Sequence, residues 1–144
     1  MARYEIIPHT ADIGLRVFGR DLKELFSTAA RGMLSLVLDD LNDFTPREET
    51  RIKVSGLSVE ELLVSWLGEL LYKLTEERWL GIEFDISSLG ERENKFFLTA
   101  AVKGQKIEYN KTPLKREIKA VTYHNLTIKK NNGGICSVEI IFDV

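Results

Sequence analysis

Residues 13–34 decide the fold, and they read IGLRVFGRDLKELFSTAARGML. Apolar residues alternate with others over residues 13–18, which predicts a strand. Asp21, followed by Glu24 three residues later, has the spacing of a helix capping box. After this box, apolar residues recur at steps of three and four; they are Leu22, Leu25, Phe26, Ala29, Ala30, Met33 and Leu34. The stretch therefore predicts a strand followed by an amphipathic helix that faces one core.

A second helix is predicted farther along the chain by the same two signals. Ser58 and Glu61 repeat the capping spacing. One apolar face follows, made by Leu62, Leu63, Trp66, Leu67, Leu70, Leu71 and Leu74. This helix is therefore also expected to pack on the core.

Most of the remaining chain is predicted to form strands, because runs rich in β-branched and aromatic residues alternate with turn residues. The predicted strands cover residues 4–7, 13–18, 51–54, 81–86, 95–102, 119–129 and 135–142. The sequence NNGG at residues 131–134 tolerates positive φ and predicts a hairpin between the last two. This order, β-α-β-α followed by several strands, predicts an α+β fold. We expect residues 1–144 to form a single domain, a two-layer sandwich with both helices packed on one mainly antiparallel sheet.

Composition excludes several classes of protein. Lys and Arg number 20 against 22 Asp and Glu, so no overall positive field attracts nucleic acid. Cys136 is the single cysteine, which excludes an internal disulfide framework, and two histidines are too few for a three-His zinc site. No export signal or membrane-length apolar run is visible, so the protein is expected to be cytoplasmic. Phosphate-binding loops, GxSxG elbows and HExxH motifs are also absent from the sequence.

Polar residues interrupt the apolar pattern between the first two predicted strands. His9 and Asp12 lie in the sequence PHTAD at residues 8–12. One interpretation is a turn capped by the Asp12 side chain, with Pro8 ending the ladder. The other is that His9 and Asp12 face a site built with other segments. The residues alone leave both open.

Asp143 lies at the end of the last predicted strand and is followed by Val144. If that strand runs beside the first, the Asp143 side chain, the main-chain carboxylate of Val144 and Asp12 converge as hard oxygen ligands. Such donors suit Ca²⁺ or Mg²⁺ rather than zinc. The alternative is that the chain end frays into water.

The near-neutral total charge conceals an uneven distribution along the chain. Residues 103–130 carry eight Lys or Arg against two Glu, whereas residues 60–93 are rich in Asp and Glu. With Tyr109, Tyr123 and His124 nearby, the basic stretch is suited to contact phosphate, stack a base or meet an acidic protein. The alternative is that these residues form the solvated face of strands.

Three separated motifs resemble the archease family, small proteins that assist tRNA-splicing ligation. The motifs are HTADIG at residues 9–14, IKAVTYH at residues 118–124 and the ending IFDV at residues 141–144. The resemblance covers essentially the whole chain. It implies a non-catalytic activator of the GTP-dependent RNA ligase that joins 3′-phosphate or 2′,3′-cyclic phosphate ends to 5′-hydroxyl ends. Such an activator promotes ligase guanylylation and multiple turnover, and it meets tRNA through the ligase.

The resemblance also implies roles for particular residues. The family's metal ligands correspond to Asp12, Asp143 and the terminal carboxylate of Val144, and its functionally important lysine corresponds to Lys119. Lys119 and His9 are then candidates for contact with the partner or a phosphate. Two alternatives remain: a chaperone or modulator of an RNA-modifying methyltransferase, and a metal-dependent hydrolase in which His9 acts as general base.

Overall fold

The computed structural model describes residues 2–8, 12–40 and 44–144. Two helices and eight strands follow one another along these residues. In chain order they are β1 (Arg3–Pro8), β2 (Asp12–Gly19), α1 (Leu22–Val37), β3 (Glu48–Gly56), α2 (Val59–Thr75), β4 (Trp79–Arg92), β5 (Lys95–Lys106), β6 (Ala120–Val121), β7 (Lys129–Lys130) and β8 (Cys136–Asp143). The predicted α+β class and the predicted order of the first elements are confirmed.

The strands form two antiparallel sheets, whereas the sequence pattern led us to expect one. A five-stranded sheet has the order β1-β2-β8-β6, with β7 also pairing with β8, and a three-stranded sheet has the order β3-β5-β4. Each helix contacts strands of both sheets. Periodicity indicates which residues form a strand and which face is buried, but it does not indicate the partner strand. For that reason the division into two sheets was not predicted.

The predicted strand over residues 119–129 is wrong, since only its two ends are strands in β6 and β7. A turn lies between them, with Asn125 at φ 52° and the Leu126 N–H donating to the Tyr123 carbonyl. The Thr122 hydroxyl donates to the Ile141 carbonyl at 2.9 Å. Such side-chain bonds to the backbone compete with a regular ladder. The predicted hairpin at residues 131–134 is confirmed, because β7 pairs with β8 across it.

Both helices begin where the capping residues predict. The Asp21 carboxylate accepts from the Glu24 N–H at 2.8 Å, and the Ser58 hydroxyl accepts from the Glu61 N–H at 3.0 Å. All seven predicted apolar positions of α2 are buried, and Trp66 is completely enclosed. The Trp66 indole N–H donates to the Phe26 carbonyl at 3.0 Å, which ties α2 to α1. The two predicted apolar faces therefore share one core.

Helix α1 lies very close to β1 and to β2, the strand that begins with Asp12. A Cβ at Gly32 would stand 2.5 Å from a Leu15 methyl carbon and 3.1 Å from the Tyr4 ring. A larger residue there would push the helix off β1 and β2. Within the described residues, no helix is both long and apolar enough to cross a membrane.

The end of β2 is joined to the start of α1 by an ion pair. The Glu24 carboxylate accepts from the Arg20 guanidinium at 2.7 Å and from the Arg20 backbone N–H at 2.8 Å. These bonds lower the pKa of Glu24 from its ordinary value near 4.5 to about 2. A carboxyl group whose pKa is lower in the folded than in the unfolded state raises the free energy of unfolding at pH values above its unfolded-state pKa. This contribution is lost as the pH falls through the folded-state pKa.

We predict that Glu24→Gln lowers the free energy of unfolding near neutral pH and that this loss disappears on acidification. The difference from the unmodified protein should be constant above about pH 5 and vanish between about pH 4.5 and 2. Urea unfolding across that range measures it. The effect should be small, because Arg20 is 74% exposed and water screens the pair.

Arg20→Gln is the matched control, since it removes the donor and should reproduce the same pH dependence. The double variant Arg20→Gln/Glu24→Gln should have nearly the same free energy of unfolding as Glu24→Gln alone. A difference that persists undiminished at pH 2 would contradict the assigned role of this ion pair.

Candidate functional site

The candidate site lies at one end of the five-stranded sheet, where the register places two carboxylates side by side. In the antiparallel pairing of β2 with β8, Asp12 is directly opposite Asp143. On the other side of β8, Ala120 of β6 is opposite Asp143. Residues directly opposite each other point to the same face of a sheet. The last strand thus brings the predicted carboxylates together, although it runs beside β2 and not beside β1.

Alternation along β8 determines which face carries these carboxylates. Val138, Ile140 and Phe142 point into the core and are at most 3% exposed. Asp143, next in the strand, is exposed on the opposite face, and Asp12 is half-buried there. Val144 is half-buried and packs against the edge of the core. Because β8 is paired on both sides at Asp143, the frayed-end alternative is wrong for this residue.

Lys119 is held beside the two carboxylates by its backbone. The Lys119 N–H donates to the Asp143 carbonyl at 2.7 Å. Its side chain is exposed and lies on the α2 side of the sheet, at a shallow depression formed with Tyr72 of α2 and with Glu76, which caps that helix. Within the described residues the Lys119 ammonium has no ion pair. The three predicted site segments, at Asp12, Lys119 and Asp143, therefore meet at one end of the molecule.

His9 lies outside the described residues, together with residues 10 and 11, so its predicted contact with a partner or phosphate stays a prediction. The other histidine, His124, is exposed in the turn after β6 and lines the same groove as Asp12. This groove has a volume of about 570 Å³ and crosses the outer face of the five-stranded sheet, which is the face turned away from the helices. We call it the outer groove.

Arg16 and Ser137 of the outer groove were not singled out from the sequence. Arg16 is opposite Glu139 and Ser137 is opposite Phe18 in the β2–β8 register. Because Arg16 and Ser137 alternate with core residues, the sequence pattern predicts that their side chains lie on the outer face of the sheet. It did not show that two strands distant in sequence combine these residues into one groove.

The basic stretch over residues 103–130 is divided among three places. Lys103 lies on the three-stranded sheet, and Lys129 lies in the outer groove. Lys115 pairs with Asp39 at 2.8 Å, and the Arg116 guanidinium donates to the Leu36 carbonyl at the end of α1. The Tyr109 hydroxyl is engaged with a carbonyl of α2. The stretch therefore does not form the continuous basic strip that its sequence suggested.

The carboxylate pair fits the donor chemistry of a hard divalent cation. Cβ atoms of directly opposed residues stand about 4.5–5.5 Å apart, so the carboxylates of Asp12 and Asp143 can reach one ion. Neither side chain has a hydrogen bond or ion pair within the part of the chain that the structure describes. The same part contains no group of three or more His, Cys, Asp or Glu side chains arranged to hold a metal ion. The main-chain carboxylate of Val144 stays a predicted third ligand.

We predict that Asp12→Asn and Asp143→Asn each stabilise the protein when divalent cations are absent and ionic strength is low. Like charges directly opposite in a sheet repel, so each change should raise the free energy of unfolding by about 0.2–1 kcal/mol. The double variant should gain less than the sum, because either change alone removes the repulsion. Chemical unfolding of the four proteins in chelator measures this cycle. Two destabilising single variants would show that the carboxylates serve as structural acceptors.

The chain matches proteins of one family over nearly its whole length. The model of the Archease protein family matches residues 4–144. The chain is 33% identical over 144 residues to the protein archease of Methanosarcina barkeri, covering 99% of this chain and 96% of that protein. It is 36% identical over 146 residues to the protein archease of Thermococcus gammatolerans, with both chains fully covered.

Two solved structures share the fold. The solution structure of Methanobacterium thermoautotrophicum protein 1598 superposes with a TM-score of 0.84 at 30% identity, covering 98% of both chains. The crystal structure of an archease from Thermotoga maritima, described as a possible chaperone, superposes with a TM-score of 0.61 at 21% identity over 96% of this chain and 94% of that one. From the family model and these relatives, the chain belongs to the archease family.

Proposed function

We propose that this protein activates a GTP-dependent RNA ligase that joins 3′-phosphate or 2′,3′-cyclic phosphate ends to 5′-hydroxyl ends during tRNA splicing. In this role it promotes guanylylation of the ligase and multiple turnover, works with the ligase in the cytoplasm, and meets tRNA through the ligase. Membership of the archease family supports the proposal. The observation that carries it is the pairing of Asp12 with Asp143 beside Lys119, since these are the positions that the family resemblance assigns to function.

A Ca²⁺ or Mg²⁺ ion belongs to the proposal. Asp12, Asp143 and the main-chain carboxylate of Val144 would hold it, since carboxylate oxygens are the ligands these cations take. When bound, such an ion supplies positive charge that stabilises phosphate oxygens. The chain's own contribution is to hold both carboxylates at the end of a paired sheet, where a partner's nucleotide site can approach them.

Lys119 provides a positive charge at the same end of the molecule. Its backbone is bonded to that of Asp143, its side chain lies on the α2 side of the sheet, and its exposure leaves it accessible to a partner. In the proposal it contacts a phosphate or an acidic side chain of the ligase. His9 is assigned the same kind of contact. No residue of this chain is assigned a catalytic step, so the protein acts as a partner of the enzyme.

Guanylylation of the purified ligase with GTP tests the carboxylate pair. Asp12→Asn and Asp143→Asn should each reduce the stimulation by about tenfold or more, the scale on which groups around a bound metal act. Ca²⁺ should raise the melting temperature of the unmodified protein and have a much smaller effect on either variant. Asp85→Asn, an exposed carboxylate on the three-stranded sheet, is the matched control and should behave like the unmodified protein.

Full stimulation by both folded site variants would reject the role of the carboxylate pair. Failure of the unmodified protein to stimulate any ligase step would reject the function, and the methyltransferase alternative would then be tested by activity of that enzyme. Hydrolysis by the isolated protein that a chelator abolishes would support the hydrolase alternative.

Lys119→Gln tests the cationic contact in a ligation assay at limiting ligase. We expect the number of ligation cycles per ligase to fall several-fold, while the melting temperature stays the same because the change spares the backbone bond. Lys103→Gln, an exposed lysine on the other sheet, should leave turnover unchanged. Equal turnover with Lys119→Gln and with the unmodified protein would remove Lys119 from the proposal.

A further inference from the structure

The outer groove presents hydrogen-bond donors that the carboxylate site does not use. One wall is the segment after β6, which contributes His124, Asn125 and Thr127, and this wall leads into Lys129 of β7. Ser137 lies directly opposite Lys129 in the β7–β8 pairing. Hydroxyl, amide, imidazole and ammonium groups are the side chains that contact phosphate and sugar oxygens.

Charge is unevenly distributed along this groove. The sequence has no Asp or Glu from residue 118 to residue 138, and the acid that contacts this wall is Glu60 of α2, whose carboxylate accepts from the Ile128 N–H at 2.9 Å. Within the described residues Lys129 has no ion pair. Arg16 lies between Glu5 at 3.5 Å and Glu139 at 3.4 Å, and its charge is thereby balanced. Asp12 lines the groove on the side of the carboxylate pair. An anion is therefore attracted to the Lys129 end and repelled from the Asp12 end.

The row of paired residues that contains Lys129 and Ser137 continues to the edge strand β1. In the strand pairing, Ser137 is opposite Phe18, and Phe18 is opposite Arg3 on the edge strand. The Arg3 guanidinium lies 3.9 Å from the centre of the Phe18 ring and covers one face of it, while its charge is paired with Glu5. The row from Arg3 to Lys129 thus has an ion-paired guanidinium at the edge strand, the Ser137 hydroxyl within it and the Lys129 ammonium at its other end.

We propose that the outer groove binds the phosphorylated 3′ end of a single-stranded RNA, with Lys129 contacting the phosphate. His124, Asn125, Thr127 and Ser137 donate hydrogen bonds to phosphate and sugar oxygens. A volume of about 570 Å³ lies within the usual range of roughly 300–1,000 Å³ for a small-ligand site. The choice of RNA over a free nucleotide rests on the proposed function, and the open groove leaves room for the chain to continue.

Direct binding, measured without ligase, tests the inference. Fluorescence anisotropy follows a short 5′-labelled single-stranded RNA that ends in a 3′-phosphate, titrated with the full-length protein. Lys129→Gln should weaken binding by about tenfold, as expected for one charged hydrogen bond. It should also reduce the slope of log affinity against log salt by about 0.7. Ser137→Ala should also weaken RNA binding, although it leaves the charge of the groove unchanged. Lys103→Gln on the other sheet is the matched control.

Three comparisons complete the experiment. The same RNA with a 3′-hydroxyl should bind more weakly, and GTP at equal concentration should not displace the phosphorylated RNA. RNA that fails to bind, or that binds equally well to Lys129→Gln and Ser137→Ala, would overturn the inference. Displacement by GTP would overturn the assignment to RNA. A guanylylation assay run without RNA reports separately on the proposed function.

Discussion

The pairing of β2 with β8 is the constraint on which the rest of this structure depends. Its register is set by apolar residues that alternate along both strands, among them Leu15, Val17, Val138 and Ile140, all at most 3% exposed. A slip of one residue would turn these side chains to the outer face and bring charged ones into the core. Burial of each is worth about 1.5–3 kcal/mol, whereas two opposed carboxylates cost about 0.2–1 kcal/mol. The core therefore fixes the carboxylate pair despite its repulsion.

Local signals in the sequence predict the helices. The arrangement of the strands into sheets depends on pairing between distant residues, which these signals do not predict. The caps at Asp21 and Ser58 and the buried face of α2 follow from spacing alone. The division into two sheets depends on which strands pair, and single-sequence periodicity does not carry that information. The same limit applies to residues 119–129, where a run of strand-forming residues contains a turn with Asn125 in the left-handed region.

The candidate site was predictable only in part, for a related reason. Donor chemistry pointed to Asp12 and Asp143 as possible partners, but their convergence required a pairing that the residues do not encode locally. The role of Lys119 came from the family resemblance, and the structure adds its backbone bond to Asp143. For the basic stretch, the sequence suggested a continuous charged surface that the structure does not have. Lys115 and Arg116 instead bind groups at the end of α1, a helix that has no basic residue in its own last turn.

Asp12 and Asp143 are 131 residues apart in the sequence, so the two carboxylates meet only after β2 and β8 have paired. Contacts between distant residues form only after the long loop between them has closed. The helices and the three-stranded sheet all precede β8 in the chain. A chain in which β8 has not yet paired with β2 can therefore contain these elements without presenting the paired carboxylates. In the proposed function, a partner that contacts both carboxylates would therefore bind only chains in which β8 has already paired with β2.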